Sequence, residues 1–190
     1  MQSRADRAQE LEDTIAENIS EIMNGIIAGF GQQLGWAPNE NSRLSLYVDN
    51  GAEGLVSIGR VATSPNHRAV GRKVLPKDQG CVGQAWAEAW VYEGEFGGAD
   101  YATHASHFGM PEAIVNGLSL QPRCLAALRI DDGPESLAVL VFESAQPNRF
   151  NEPKIKKEMI AFSGYLTGTL KTLAPHLPKP LAEAEGEEEL

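Results

Sequence analysis

The stretch SRLSLYVDNGAEGLVSIGRVA at residues 42–62 carries the pattern that decides the fold class. Apolar and polar residues alternate along its first half, which places Leu44, Leu46 and Val48 on one face of a β-strand. The turn residues DNGAEG follow, and the second half again has strand character. Residues 43–62 are therefore predicted to form a β-hairpin with one apolar face.

A second pair of strands is predicted near the other end of the chain. The apolar segments RCLAALRID (123–131) and SLAVLVFES (136–144) are joined by the turn signal DGPE. Between the two hairpins, CVGQAWAEAW (81–90) predicts a short helix and VYEGEF (91–96) a short strand. With a long helix at each end, this order of elements is typical of an α+β domain with an antiparallel sheet.

Both terminal helices are predicted to carry one apolar face. The second begins with Asn151 as N-cap and Pro153 in its first turn. In the first, over residues 6–34, apolar residues recur at helical spacing: Leu11, Ile15, Ile19, Ile22, Ile26 and Phe30. The two helices can therefore lie side by side on one face of the sheet. The irregular segment 62–121 would then cover the other face, where a pocket could form.

Composition excludes several classes of function. The 190-residue chain carries a net charge of −10 and shows no Lys/Arg stripe, so we expect no nucleic-acid partner. No apolar run is long enough for a membrane span within this chain. Two cysteines 43 residues apart make no disulfide framework, which favours a reducing, cytoplasmic setting. We expect a helix at 1–34, a domain at 35–174 and a disordered acidic tail at 175–190.

The order of these segments, from Leu34 to Leu173, resembles the GAF domain family of small ligand-sensing modules. The resemblance rests on the two hairpins, on QGCVGQAWAEAWVYEGE at 79–95, and on the helix that follows Phe150 in RFNEPKIKKEM. It implies a GAF/PAS-like six-stranded antiparallel sheet, with the terminal helices on one face and a ligand pocket on the other. GAF domains often dimerise through their terminal helices, which here predicts an interface built from Ile15, Ile19, Ile22 and Ile26.

Two ligands known in the family are not expected. Bilin-binding GAF domains attach their chromophore through a cysteine that is typically followed by histidine, whereas Cys81 precedes Val82 and Cys124 precedes Leu125. The cyclic-nucleotide signature is echoed by NRFNE at 148–152, but no Asp-Glu pair follows it. The ligand class is therefore left open.

Aromatic and histidine residues crowd the segment that should cover the sheet. Aromatic walls with a few polar groups are typical of small-molecule sites. Core packing is the alternative explanation. The predicted ligand-binding residues are Trp86, Trp90, Tyr101, His104, His107, Phe108 and Cys124. Although His104 and His107 could form half of a metal site, the sequence shows no third ligand, so no metal and no cofactor are predicted.

The sequence predicts a sensory or regulatory domain that binds a small molecule and acts on a signalling partner. No catalytic residue is assigned, because neither GxSxG nor GxxxxGKS is present. Free methionine sulfoxide reductases also resemble GAF domains, which makes a thiol enzyme using Cys81 and Cys124 the first alternative. A GAF dimer with a filled pocket, acting as a scaffold, is the second. For Cys81 itself, packing beside the pocket is the simplest role.

Overall fold

A computed structural model describes residues 3–37, 40–51, 54–69, 74–96 and 105–177. Its centre is one six-stranded sheet in the order β3-β2-β1-β6-β5-β4, with antiparallel pairing throughout. This confirms the predicted α+β class. The strands are β1 (Ser42–Asp49), β2 (Gly54–Ala62), β3 (Val74–Pro76), β4 (Trp90–Glu93), β5 (Cys124–Asp132) and β6 (Glu135–Ser144).

Four α-helices and two short 3₁₀ segments accompany the sheet in the described residues. They are α1 (Arg4–Gln33), α2 (Gly80–Glu88), α3 (Glu112–Asn116) and α4 (Glu152–Leu173), with 3₁₀ turns at Pro65–His67 and Ala174–His176. As predicted, Asn151 caps α4: its side chain accepts a hydrogen bond from the Lys154 amide at 2.9 Å. No helix in the described part of the chain is long and apolar enough to cross a membrane. Of the predicted tail, residues 178–190 lie outside the described residues.

Helices α1 and α4 cover one face of the sheet, as predicted. Leu44, Leu46 and Val48 of β1 point into the core that the helices share with this face. The rings of Phe30 and Phe162 stack with centroids 4.2 Å apart and join α1 to α4. A second, smaller core lies on the opposite face, beneath α2 and α3. The sheet is therefore covered on both sides.

The core-facing stripe of α1 coincides only in part with the predicted one, with which it shares Ile19 and Phe30. The residues buried against the sheet are Ile19, Met23, Ile27, Phe30 and Leu34. At about 100° per residue, Leu11 and Ile22 lie on a separate face of the helix, and they are 61% and 50% exposed. Apolar residues thus form two adjacent stripes on α1. Spacings of three and four residues fit either stripe, so the sequence pattern alone does not show which one faces the core.

This corrects the predicted dimer interface at one residue. Ile19 is only 4% exposed and packs in the core of its own chain, so it is not available to a partner. Ile15 and Ile26 are partly buried against the same core. Ile22 alone among the four predicted interface residues is well exposed.

Helix α1 is attached to the sheet mainly through β2. A Cβ at Gly59 would lie 3.0 Å from the Cβ of Met23, so the glycine permits the close approach. Beside it, the Asn24 side-chain oxygen accepts a hydrogen bond from the backbone amide of Arg60 at 2.7 Å. The side chain of Arg60 lies on the other face of the sheet, among the residues that line a cavity there. Arg60 therefore touches both layers of the domain.

Candidate ligand-binding cavity

A cavity of about 390 Å³ lies on the sheet face opposite α1 and α4. This is the face on which the sequence predicted a pocket. The volume falls within the range of small-molecule sites. Most of the walls are apolar. They are formed by Leu75, Val82, Phe96, Phe108, Met110, Ile114, Leu118, Leu125 and Val141.

Glycines position α2 at one wall of the cavity. Gly80 has φ of +71°, a left-handed conformation that lets the chain turn into the helix. A Cβ at Gly83 would lie 2.6 Å from the carbonyl oxygen of Lys77, so only glycine allows α2 to pack this closely on residues 77–78. The DQGCVG motif thus places the Cys81 side chain at the cavity.

An ion pair forms the charged end of the cavity. Arg43 of β1 and Glu143 of β6 are direct cross-strand partners, and two N–H groups of Arg43 donate to the two carboxylate oxygens, each at 2.7 Å. Their side chains are only 7% and 12% exposed. Burial raises the pKa of Glu143, but the adjacent Arg43 charge and its hydrogen bonds outweigh burial and hold the pKa below its usual value. Both groups are therefore charged at neutral pH.

Arg60 adds a second cation to the cavity wall. Its Nε donates to Ser45 Oγ at 3.1 Å, one Nη to Tyr47 Oη at 2.6 Å, and the other Nη to the Ala69 carbonyl at 2.9 Å. All three acceptors are neutral, since burial raises the pKa of Tyr47 and keeps the phenol protonated. Among the described residues, no carboxylate forms a salt bridge with Arg60.

Cys81 lines the cavity as a thiol. Burial, and secondarily the nearby Glu143 carboxylate, raises the pKa of Cys81 to about 12. A helix N-terminus usually lowers a thiol pKa, but here burial dominates. At neutral pH the group is therefore a weakly polar, protonated part of the wall.

The predicted ligand-binding residues do not come together as one site. Phe108 lines the cavity. Trp86 packs against the core on the cavity side, with Lys77 Nζ 5.1 Å from its ring centroid, but does not line the cavity. His107 is exposed and also lies outside the lining. Tyr101 and His104 lie outside the described residues.

Trp90 and Cys124 lie on the opposite face from the cavity. Side chains alternate along a strand, so β4 directs Val91 towards the cavity side while Trp90 packs on the helix side. There the Trp90 Nε1 donates to Glu152 at 2.8 Å. In the same way, β5 directs Leu125 to the cavity and Cys124 into the core beneath α1 and α4. The prediction placed these two residues on the wrong face.

The polar residues of the cavity were missed at the sequence level. Arg43, Tyr47, Arg60 and Glu143 all lie on strands, and none of them is among the predicted ligand-binding residues. The predicted arrangement of layers already indicated polar residues of this kind. If helices cover one face of a sheet and an irregular segment the other, polar residues on that second face must line a cavity or be buried in pairs.

The two thiols are separated by the sheet. Cys81 borders the core on the cavity side, and Cys124 is buried in the core on the helix side. Thiol-disulfide exchange requires direct sulfur contact, which this arrangement does not allow in the folded chain. Within the described ranges, no group of three His, Cys, Asp or Glu side chains could hold a metal ion.

Comparisons with known proteins identify the fold. The sequence matches no protein-family model and no curated protein. The GAF domain from an Acinetobacter phosphoenolpyruvate-protein phosphotransferase is similar in structure, with a TM-score of 0.61 and 15% identity over 92% of this chain and 97% of that one. The GAF domain of a two-component sensor histidine kinase from Bacillus halodurans gives 0.55 and 13%, over 81% and 97%.

An enzyme shares the same fold. Free methionine-R-sulfoxide reductase from Neisseria meningitidis, solved in complex with its substrate, gives a TM-score of 0.50 and 16% identity over 93% of each chain. Identities this low show shape alone. With its six-stranded antiparallel sheet, its terminal helices on one face and a cavity on the other, the chain has the GAF fold.

Proposed function

We propose that this chain is a GAF-type sensory or regulatory domain that binds a small molecule in the cavity between the sheet and α2–α3. The observation that carries the proposal is the cavity itself, whose apolar walls meet a charged end formed by Arg43, Arg60 and Glu143. Apolar surface with a few convergent polar groups is the usual composition of a ligand site. The similarity in fold to the GAF domain of a two-component sensor histidine kinase supports a role in regulation.

Ligand binding would be communicated to α1 through β2. Arg60 lines the cavity with its side chain and donates its backbone amide to Asn24 of α1. A ligand that binds one packing arrangement of α1 more tightly than another shifts the population towards it. The output would then be read by a signalling partner that contacts the helix.

The test is native mass spectrometry of the purified protein, followed by identification of any small molecule released on denaturation. The Ile114→Trp variant places a large ring at a cavity-lining position of α3. The matched control is Glu112→Trp, on the exposed side of the same helix. We expect wild type and the control to carry the molecule and Ile114→Trp to lose it. A chain that purifies empty and binds nothing in a metabolite screen would instead support the scaffold alternative.

We further propose that the chain forms a homodimer through the outer surface of α1 and α4. Ile22 and Tyr165 are 50% and 60% exposed and border a groove that continues along α4 over Gly168 and Leu173. The outer stripe of α1 continues from Ile22 to Leu11. A second copy is the proposed occupant because a C₂ dimer would let this stripe of each chain enter the groove of the other, burying both at once.

Sedimentation velocity tests the dimer. We expect wild type to sediment as a dimer and Ile22→Asp as a folded monomer, since the change places a charge on the exposed apolar stripe. Thr14→Asp is the control, because it adds the same charge to an exposed position of α1 on a different face. A monomeric wild type, or a dimer that survives Ile22→Asp, would contradict the proposed interface.

A thiol reductase is the second candidate, and the position of Cys81 at the cavity is what favours it. Such an enzyme needs a second thiol to resolve its oxidised intermediate, and Cys124 lies across the sheet. The raised pKa of Cys81 also disfavours the reactive thiolate. Peptide mapping after peroxide treatment under native conditions distinguishes the two functions. A disulfide between the two cysteines would support the enzyme, and two separate thiols would support the binding domain.

A further inference from the structure

We propose that the cavity selects a monoanionic ligand, namely a small carboxylic acid with an apolar body, and that Arg60 binds its carboxylate. This inference rests on the proposed ligand-binding function and specifies the chemical class of the ligand. It follows from the hydrogen bonds that Arg60 makes to described residues, from the charges in the described part of the lining and from the chemistry of the walls.

Within the described part of the chain, the guanidinium of Arg60 makes fewer hydrogen bonds than it can donate. A guanidinium carries five N–H groups, and Arg60 uses one each towards Ser45, Tyr47 and Ala69. Two N–H groups therefore have no partner among the described residues. The three bonds fix the plane of the guanidinium, so its orientation is set before any ligand arrives. A carboxylate is a strong acceptor for the N–H groups of a guanidinium.

The charge balance favours an anion with one negative charge. Of the Arg, Lys, Asp and Glu side chains that line the described part of the cavity, Arg43 and Arg60 are cations and Glu143 is an anion. Both carboxylate oxygens of Glu143 accept hydrogen bonds from Arg43, so this pair is neutral as a unit. Arg60 therefore gives the described part of the lining a net charge of one positive unit. A dianion would exceed that charge and be repelled by Glu143.

The rest of the cavity determines the body of the ligand. The walls, which include Phe108, Met110 and Leu125, consist mostly of hydrocarbon and sulfur atoms. Such walls gain free energy by covering an alkyl or aromatic group and offer little to sugars or other highly polar ligands. At about 390 Å³, the cavity suits a small acid rather than a dinucleotide or a long acyl chain.

Calorimetric titration of paired probes tests the inference. The acids are phenylacetate and hexanoate, and their neutral partners of nearly the same shape are phenylacetamide and hexanamide. We expect each acid to bind wild type at least about tenfold more tightly than its amide, which corresponds to about 1.4 kcal/mol. Phenyl phosphate, which is largely dianionic at pH 7.5, is expected to bind more weakly than phenylacetate.

Three variants assign the preference to Arg60. Arg60→Met should bring the affinities for acid and amide to within about twofold, while Arg60→Lys should retain part of the difference. Arg68→Met is the matched control, because Arg68 is an exposed neighbour that does not line the cavity. It should behave as wild type. Thermal unfolding of each variant confirms that it is folded before titration.

Each contrary result has a distinct meaning. Equal affinity for acids and amides in wild type would overturn the carboxylate inference and leave the ligand-binding function intact; this comparison needs no variant. A preference that persists in folded Arg60→Met, or tighter binding of phenyl phosphate, would overturn the assignment to a single charge at Arg60. If no probe binds, the inference fails. The proposed function fails with it only if native mass spectrometry also finds the cavity empty.

Discussion

Replacing Glu143 by Gln should destabilise the domain severely. The substitution keeps the shape of the side chain but leaves the guanidinium of Arg43 buried without its counter-charge. The two side chains are almost fully withdrawn from water and share two hydrogen bonds of 2.7 Å. Removing one partner of such a pair costs about 3–5 kcal/mol, most of it the desolvation of the remaining charge.

Urea unfolding at a fixed protein concentration measures this cost. With a slope of about 2 kcal/mol per molar urea, the midpoint should fall by about 1.5–2.5 M. Asp132→Asn is the control, because it removes the partner of Lys171 in a salt bridge whose side chains are 38% and 57% exposed. Exposed pairs of this kind contribute about 0–1 kcal/mol.

A double variant separates the cost of burying an unpaired charge from the attraction between the two charges. Replacing both members by apolar residues, as in Arg43→Met with Glu143→Leu, removes both charges and leaves none unpaired. We expect the double variant to be more stable than Glu143→Gln, since substituting a whole buried pair is often nearly neutral. If Glu143→Gln costs no more than Asp132→Asn, the pair is effectively solvated and the reasoning is refuted.

Three further outcomes follow from packing and charge. Because the pKa of Glu143 is lowered on folding, its contribution to stability is present above about pH 4.3 and lost as the pH falls further. Urea titrations at several pH values should therefore show that the free energy of unfolding falls more steeply towards acid pH in wild type than in Glu143→Gln. Gly83→Ala should lower the free energy of unfolding, measured in urea, by about 1–3 kcal/mol, because the added methyl meets the Lys77 carbonyl; an unchanged free energy would contradict the close packing of α2 on residues 77–78. Calorimetry should show that Ile19→Ala costs about 2–5 kcal/mol and that Ile22→Ala stays within about 0.5 kcal/mol at a concentration where the protein is monomeric; equal effects would contradict the assignment of the two stripes.

The fold was predictable because its signals are local and periodic. Alternation in residues 42–49 identified β1 and the face formed by Leu44, Leu46 and Val48. Cap chemistry located the start of α4 at Asn151. The short strand β3 was not predicted, because three residues are too few to show alternation. On α1 the sequence could not choose between two apolar stripes, since the choice depends on contacts with β2 that are distant in sequence.

The sequence predicted a pocket on the sheet face where the cavity lies, but most of the described residues that it named do not line that cavity. The prediction relied on aromatic residues in one segment, whereas the polar end of the cavity comes from three separate strands. Arg43 and Glu143 are 100 positions apart and meet only because β1 and β6 pair in one register. Aromatic residues are equally good core material, which is why Trp86 and Trp90 pack in cores and do not line the cavity.

Arg60 would make the two layers of the domain thermodynamically dependent on each other if the cavity binds a ligand as proposed. Its side chain lines the cavity while its amide is bonded to Asn24, so an event on either side acts on the same residue. Linkage is reciprocal: if an occupied cavity strengthens contacts made by α1, those contacts must strengthen ligand binding by the same factor. If those contacts are the ones of the proposed dimer, the affinity of the cavity would vary with protein concentration, and titrations at two concentrations would measure the free energy of coupling.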